Sequence, residues 1–154
     1  IFIYYVVIFA IGDILVIIGF SYKKFLVERT GIATGKINIS NNVSVKDIKE
    51  QQLSLGGKDK QDSLVFTFEY SCSYQPNIGS IVLTGEVVFL EDPKVIKDIV
   101  KDWKKDKKVD PAVMKGILNN ILSRCTIQSL ILSQELSLPS PIPLPQVTEQ
   151  IGKK

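Results

Sequence analysis

SLVFTFEYSCSYQPNIGSIVLTGEVVFLE, residues 63 to 91, constrains the fold more than any other part of this chain. Leu64, Phe66, Phe68 and Tyr70 fall on one side of a period-two pattern, and Val65, Thr67, Glu69 and Ser71 fall on the other. QPNIG, residues 75 to 79, is turn chemistry. Ile81, Leu83, Val87 and Phe89 then share a face of a second run. Two alternating runs joined by such a turn predict an antiparallel hairpin. Gly85 inside the second run predicts a bulge or a close approach of another group to the backbone. A hairpin this oily is not stable alone; it needs further strands or a helical layer over its apolar face.

The layer follows directly. Asp92-Pro93 and Asp110-Pro111 each place a capping acceptor before a proline at the first helical position. In PKVIKDIVKDWKKDKK, Ile96, Ile99, Val100 and Trp103 form one apolar stripe. From Met114, the residues Ile117, Leu118, Ile121, Leu122 and Cys125 repeat at helical spacing, and beyond Thr126 apolar side chains occupy several sides. That last part predicts either a deeply buried helix or a subunit interface. Arg124, inside it, either pairs with a carboxylate such as Glu86 or Glu69 or extends its charged end to water.

Ahead of the hairpin, Ile37 and Ile39, then Val43 and Val45, alternate with polar neighbours, with Asn41-Asn42 as a turn or bulge candidate. Two short strands or one bent strand satisfy this pattern equally. Residues 56 to 63 read as a polar loop. Residues 1 to 20 carry Asp13 as their only charge and, as a helix, would be about 30 Å long, the thickness of a bilayer core. SYKK and Arg29 follow, which would keep the next domain on the cytoplasmic side. Two readings stand side by side: a membrane anchor over residues 1 to 21, or a misplaced start, with a compact soluble domain beginning near Leu26 or Val27. Residues 22 to 147 read as a single α+β domain and 148 to 154 as a polar tail.

Pro139, Pro141, Pro143 and Pro145 occupy every second position near the end. Proline removes a donor and drives the residue before it out of the helical region, so residues 138 to 145 should be extended. Leu138, Ile142 and Leu144 would lay this strap against an apolar surface, either its own domain's or a partner's.

Composition removes several chemistries. The chain has no histidine, so Ser-His-Asp and Cys-His catalysis, His-ligated zinc and His proton shuttles are excluded within it. Cys72 and Cys125 lack metal spacing and sit in apolar runs, as reduced core thiols of a reducing compartment would. The net charge of +3 is too mild for nucleic acid without a clustered patch. The lysine-rich helix is interleaved with Asp98, Asp102 and Asp106 and reads as a solvated face. TGIATGK, residues 30 to 36, lacks the spacing of a phosphate loop. A non-enzymatic binding protein without a cofactor is the favoured class.

Three stretches carry a family resemblance. Val43 to Glu50 is similar to the first strand of the SecB-like export chaperones, with its Lys-Asp-Ile core. Leu64 to Leu90, including the Glu86-Val87 pair, resembles their central hairpin. Leu122 to Leu132, with Ser123, Arg124, Thr126 and Leu130, resembles the end of their main helix. The resemblance implies an α+β subunit with a four-stranded antiparallel sheet packed against helices, preceded here by the hydrophobic N-terminal helix and followed by the proline strap. One strand is unaccounted for in residues 35 to 135, so residues 22 to 39 are expected to supply it. The resemblance further implies a homotetramer, a dimer of dimers, that holds unfolded polypeptides without ATP, in the cytoplasm or tethered to the inner face of the membrane. The acidic surface that the family presents to its translocation motor is absent from this basic chain. A holdase needs exposed apolar surface that grips chains without reading their sequence. Val45, Ile48, Phe66, Phe68, Tyr70 and Tyr74 are the expected polypeptide-binding residues, with a buried core role as the competing reading for Phe66 and Phe68. Ile121, Leu122, Arg124 and Cys125 are the expected oligomer interface.

Overall fold

The computed structural model describes residues 16–54, 56–57 and 59–147. Four strands are followed by two helices: β1 (Val16–Arg29), β2 (Asn38–Ser54), β3 (Lys60–Gln75), β4 (Gly79–Leu90), α1 (Pro93–Asp106) and α2 (Pro111–Glu135). The strands form one antiparallel sheet in the order β1-β4-β3-β2. The expected hairpin is its centre, with Phe66 opposite Val87 and Tyr70 opposite Leu83. The helices begin where the Asp-Pro pairs place them, and the Asp110 carboxylate accepts from the backbone N–H of Ala112 at 2.8 Å.

One face of the sheet is sealed. Leu64, Phe66, Phe68, Tyr70, Cys72 and Tyr74 of β3 join Ile81, Leu83, Val87 and Phe89 of β4 beneath Ile96, Ile99 and Trp103 of α1 and Ile117, Ile121 and Cys125 of α2. Each such large apolar side chain contributes about 1.5–3 kcal/mol when fully buried. This two-layer arrangement is the α+β architecture expected from the sequence. The opposite face is half-buried and mostly polar. Two ion pairs cross it, Lys23–Glu86 at 3.3 Å and Lys46–Glu69 at 3.2 Å. Both lysines occupy register shifts, between Tyr22 and Lys24 and between Val45 and Asp47. Each extra residue of an edge strand thus sends a cation to a carboxylate on a central strand.

The segment before Asn38 resolves as one bent strand's approach, not as a separate strand. β2 runs unbroken through Asn41 and Asn42, and its bulge lies at Lys46. The route from β1 to β2 passes under the β3–β4 turn, where Thr30 and Gly31 donate their N–H groups to the Ile78 carbonyl at 2.9 and 3.2 Å. Gly31 has to be glycine, because a Cβ there would stand 2.7 Å from the Asn77 carbonyl oxygen.

The N-terminal expectation needs correction. Residues 16 to 20 are strand, not the end of a helix, and β1 supplies the missing fourth strand from Val16 instead of from residue 22. Val and Ile suit a strand as well as an apolar helix, and pairing with β4 decides between them. A domain beginning near Leu26 would lose Val16–Phe25, the partner of β4 from Leu90 to Leu83. The rest of the expected anchor, residues 1 to 15, and the tail from 148 onward lie outside the described residues. Among the described residues no helix is long and apolar enough to cross a membrane.

Candidate functional site

The residues expected to grip a polypeptide are not at the surface. Phe66, Phe68, Tyr70 and Tyr74 are fully buried, Ile48 is buried beside them and Val45 is half-buried. Five of the six belong to the sheet's contribution to the core, and Val45 packs against it from the edge strand. Alternation marked the correct face but carried no information about what covers it.

Phe68 shows why the strand contains Gly85. The two stand opposite each other, and a Cβ at position 85 would overlap the Ser21 carbonyl and lie 2.7 Å from Phe68 Cζ. The glycine therefore marks a close approach. From Phe68 an aromatic series runs outward across β1: Phe68 to Phe20 at 5.1 Å, Phe20 to Tyr22 at 5.0 Å, and Tyr22 to Phe25 at 4.9 Å between ring centroids. It ends at Phe25, which is 43% exposed. Sequence periodicity missed this series because the extra residue Lys23 puts Tyr22 and Phe25 on one face at a spacing of three.

The expected interface residues separate. Ile121 and Cys125 are fully buried against the sheet, whereas Leu122 and Arg124 are exposed. Arg124 pairs with no carboxylate among the described residues; its guanidinium carbon lies 4.8 Å from the centroid of the Phe20 ring. Glu86 and Glu69 are out of its reach because they project from the other face of the sheet, where Lys23 and Lys46 hold them. Burial pushes the Cys125 thiol up to about 11, and burial, with Cys125 next, raises Tyr22.

α2 leaves apolar side chains uncovered beside polar ones such as Lys115, Asn119, Ser123 and Glu135. It carries Leu122, Ile127 and Ile131 at 38, 64 and 49% exposure. Spacings of three and seven place Ile127 and Ile131 on the flank of Arg124, the one that overhangs Phe20. Of the eleven large exposed hydrophobic side chains among the described residues, four (Val16, Ile18, Phe25, Leu26) are on β1, three are on α2 and none is on β2.

The proline segment leaves α2 without joining a helix or a strand. Leu138 is buried over Gly79, whose added Cβ would stand 2.9 Å from Leu138 Cδ2, and the Leu138 N–H donates to Ser133 O at 2.8 Å. Pro141 is buried too, and its carbonyl accepts from Asn41 Nδ2 at 3.0 Å. Pro143 to Val147 are exposed. Residues 138 to 142 thus lie on their own domain, while Leu144 rests on nothing that would bury it.

Other chemistries find little support in the geometry. Trp103 is buried, with Lys107 Nζ 5.0 Å from its ring centroid, and presents no free face to a nucleotide base. Among the described residues no three His, Cys, Asp or Glu side chains gather as metal ligands would. Compared with protein-family models, curated proteins and solved structures, the chain gives no significant match.

Proposed function

We propose that this chain is the subunit of a SecB-like, ATP-independent holdase. In this reading it is a homo-oligomer, a dimer of dimers, that keeps unfolded polypeptides from aggregating, in the cytoplasm or tethered to the inner face of the membrane, without catalysis or cofactor. The observation that carries the reading is the gathering of exposed apolar side chains on β1 and α2, on a body whose own core is already sealed. Patches of that kind on a well-packed domain mark surfaces meant for other chains. The four-stranded sheet with helices on one face also agrees with the architecture that the resemblance implies. The gripping surface is then the flank of α2 that carries Ile127 and Ile131 beside Arg124, in place of the buried aromatics of β3.

The test is aggregation of a chemically denatured client in the presence of stoichiometric chain and no ATP. Suppression is expected, and the Ile127→Ser/Ile131→Ser variant should lose it without a lower melting temperature. A client that aggregates at its unassisted rate would remove the holdase reading. A second reading is an interaction or scaffold domain without chaperone activity, with the membrane reached through residues 1 to 20. The burial of Phe66, Phe68, Tyr70 and Tyr74 favours it, since a holdase with its largest aromatics inside has less surface to offer. It predicts a chain that self-associates yet protects no client.

A further inference from the structure

We propose that the exposed lysine face of α1 docks on the headgroups of an anionic phospholipid surface. This deepens the membrane part of the function proposed above and rests on that part alone, not on client holding.

Along the sequence, lysines and aspartates of α1 alternate; around the helix they separate. At about 100° per residue, Lys94, Lys97, Lys101, Lys104 and Lys105 fall within one arc of about 100°. Asp98, Asp102 and Asp106 occupy the next arc, and the buried Ile96, Ile99 and Trp103 the one beyond. The lysines therefore lie opposite the side that packs into the core, and all five are exposed. Among the described residues none of the five is in an ion pair.

This arrangement works against the helix itself. Lys97, Lys101 and Lys105 repeat at a spacing of four, as do Asp98, Asp102 and Asp106, so like charges meet one turn apart. Lys94 stands in the first turn, which has no acidic residue, at the positive end of the helix dipole. A face built only for solvation would alternate signs at that spacing and carry acids at its start. Sorting the charges gains nothing for the fold, but it makes a basic stripe about 16 Å long.

Two observations identify the anionic partner. The first is where the chain outside the described residues joins the fold. Residues 1 to 15 carry Asp13 as their only charge and lead to Val16. Val16 pairs with Leu90 and shares a cleft with Asp92 and Pro93, at the start of α1, and both Val16 and Ile18 are exposed. An apolar segment joined beside a lysine stripe supplies the two signals that stable attachment to an anionic membrane takes. The second is the chemistry of the stripe. It is lysine alone, a hydrated point charge on a flexible stem, which suits mobile headgroups. Reading bases would need arginine forks or open aromatic faces. Trp103 is buried, Arg29 donates to the Leu136 carbonyl and Arg124 lies over Phe20.

Co-sedimentation of the full chain with vesicles tests this. Binding should be stronger to phosphatidylcholine with phosphatidylserine than to phosphatidylcholine alone, and the difference should shrink as salt rises. Lys94→Gln/Lys97→Gln/Lys101→Gln should weaken binding to the anionic vesicles about a hundredfold, at about fivefold per lysine, without lowering the melting temperature. Lys36→Gln/Lys49→Gln/Lys60→Gln, an equal change of net charge at exposed positions outside α1, should weaken it far less. Equal losses for the two triple variants, or tighter binding to single-stranded DNA or polyglutamate at the same anion concentration, would overturn the proposal. Equal binding to both kinds of vesicle would overturn it and leave the membrane reading standing; binding to neither would remove both.

Discussion

The hydroxyl of Tyr70, in the middle of the sheet, lies 3.2 Å from the hydroxyl of Ser129, on the buried side of α2. Tyr70 also donates to Asn41 Oδ1 at 2.8 Å, Asn41 Nδ2 donates to the Pro141 carbonyl at 3.0 Å, and Ser129 reaches the Thr126 carbonyl at 2.9 Å. One polar chain therefore ties α2, β3, β2 and the proline segment through the core. Two hydroxyl protons serve three contacts, and with Tyr70 donating to Asn41 the Ser129 proton can serve either Thr126 or Tyr70. The side chain that alternation offered as a binding contact is the fastener of the layers.

Tyr70→Phe should lower unfolding free energy by about 0.5–1.5 kcal/mol, because the part-buried bond to Asn41 Oδ1 and the buried contact with Ser129 are both lost. Ser129→Ala should cost less, about 0.5 kcal/mol, since the Tyr70–Asn41 bond survives. Asn41→Ala should in addition speed amide exchange at Ile142 by releasing Pro141. Urea titration and hydrogen exchange measure these, and equal losses for Tyr70→Phe and Ser129→Ala would contradict the ordering.

Gly85→Ala should be far more damaging than its size suggests. The new methyl group would meet the Ser21 carbonyl and Phe68 Cζ at once, backbone on one side and a packed ring on the other. We expect a loss of about 2–4 kcal/mol, in the range of severe overpacking. The combination with Phe68→Leu should recover part of it by relieving the ring contact, as read by melting temperature.

Stability should fall in alkali. Burial holds the Cys125 thiol at about 11 against an ordinary value of 9.0. Its contribution is complete below pH 9; above that, the unfolded chain loses the proton first, and the contribution drains away as pH rises to about 11. The slope is at most about 1.4 kcal/mol per pH unit for one group. Tyr22, Tyr70 and Tyr74, each raised chiefly by burial, add to the loss above pH 10. Urea midpoints from pH 8 to 11 should fall, and Cys125→Ala should make the first part of that fall shallower.

Arg124→Ala should cost only about 0.5–1 kcal/mol, the worth of a partly solvated cation over an aromatic face. A double-mutant cycle with Phe20→Leu should return a coupling of that size. Substituting Glu86 or Glu69 should leave Arg124's contribution unchanged, because those carboxylates lie beyond the sheet. A coupling to Glu86 would refute this placement.

By itself, the sequence determined the central hairpin, both helix starts and the α+β class, since each rests on signals within a few residues: alternation, an Asp-Pro pair, a 3.6-residue stripe. Only the tertiary structure decided that Val16–Phe20 belong to a strand, because the partner that makes them one, β4, lies more than sixty residues away. It likewise decided that Phe66, Phe68, Tyr70 and Tyr74 are core, that Arg124 faces Phe20, and that Leu138 and Pro141 settle on their own domain while Leu144 does not. The bulge at Lys23 hid Phe25 from any fixed period. A repeat in the sequence states which side chains share a face; whether that face meets a helix, water or another chain depends on contacts between distant segments, which no local pattern encodes.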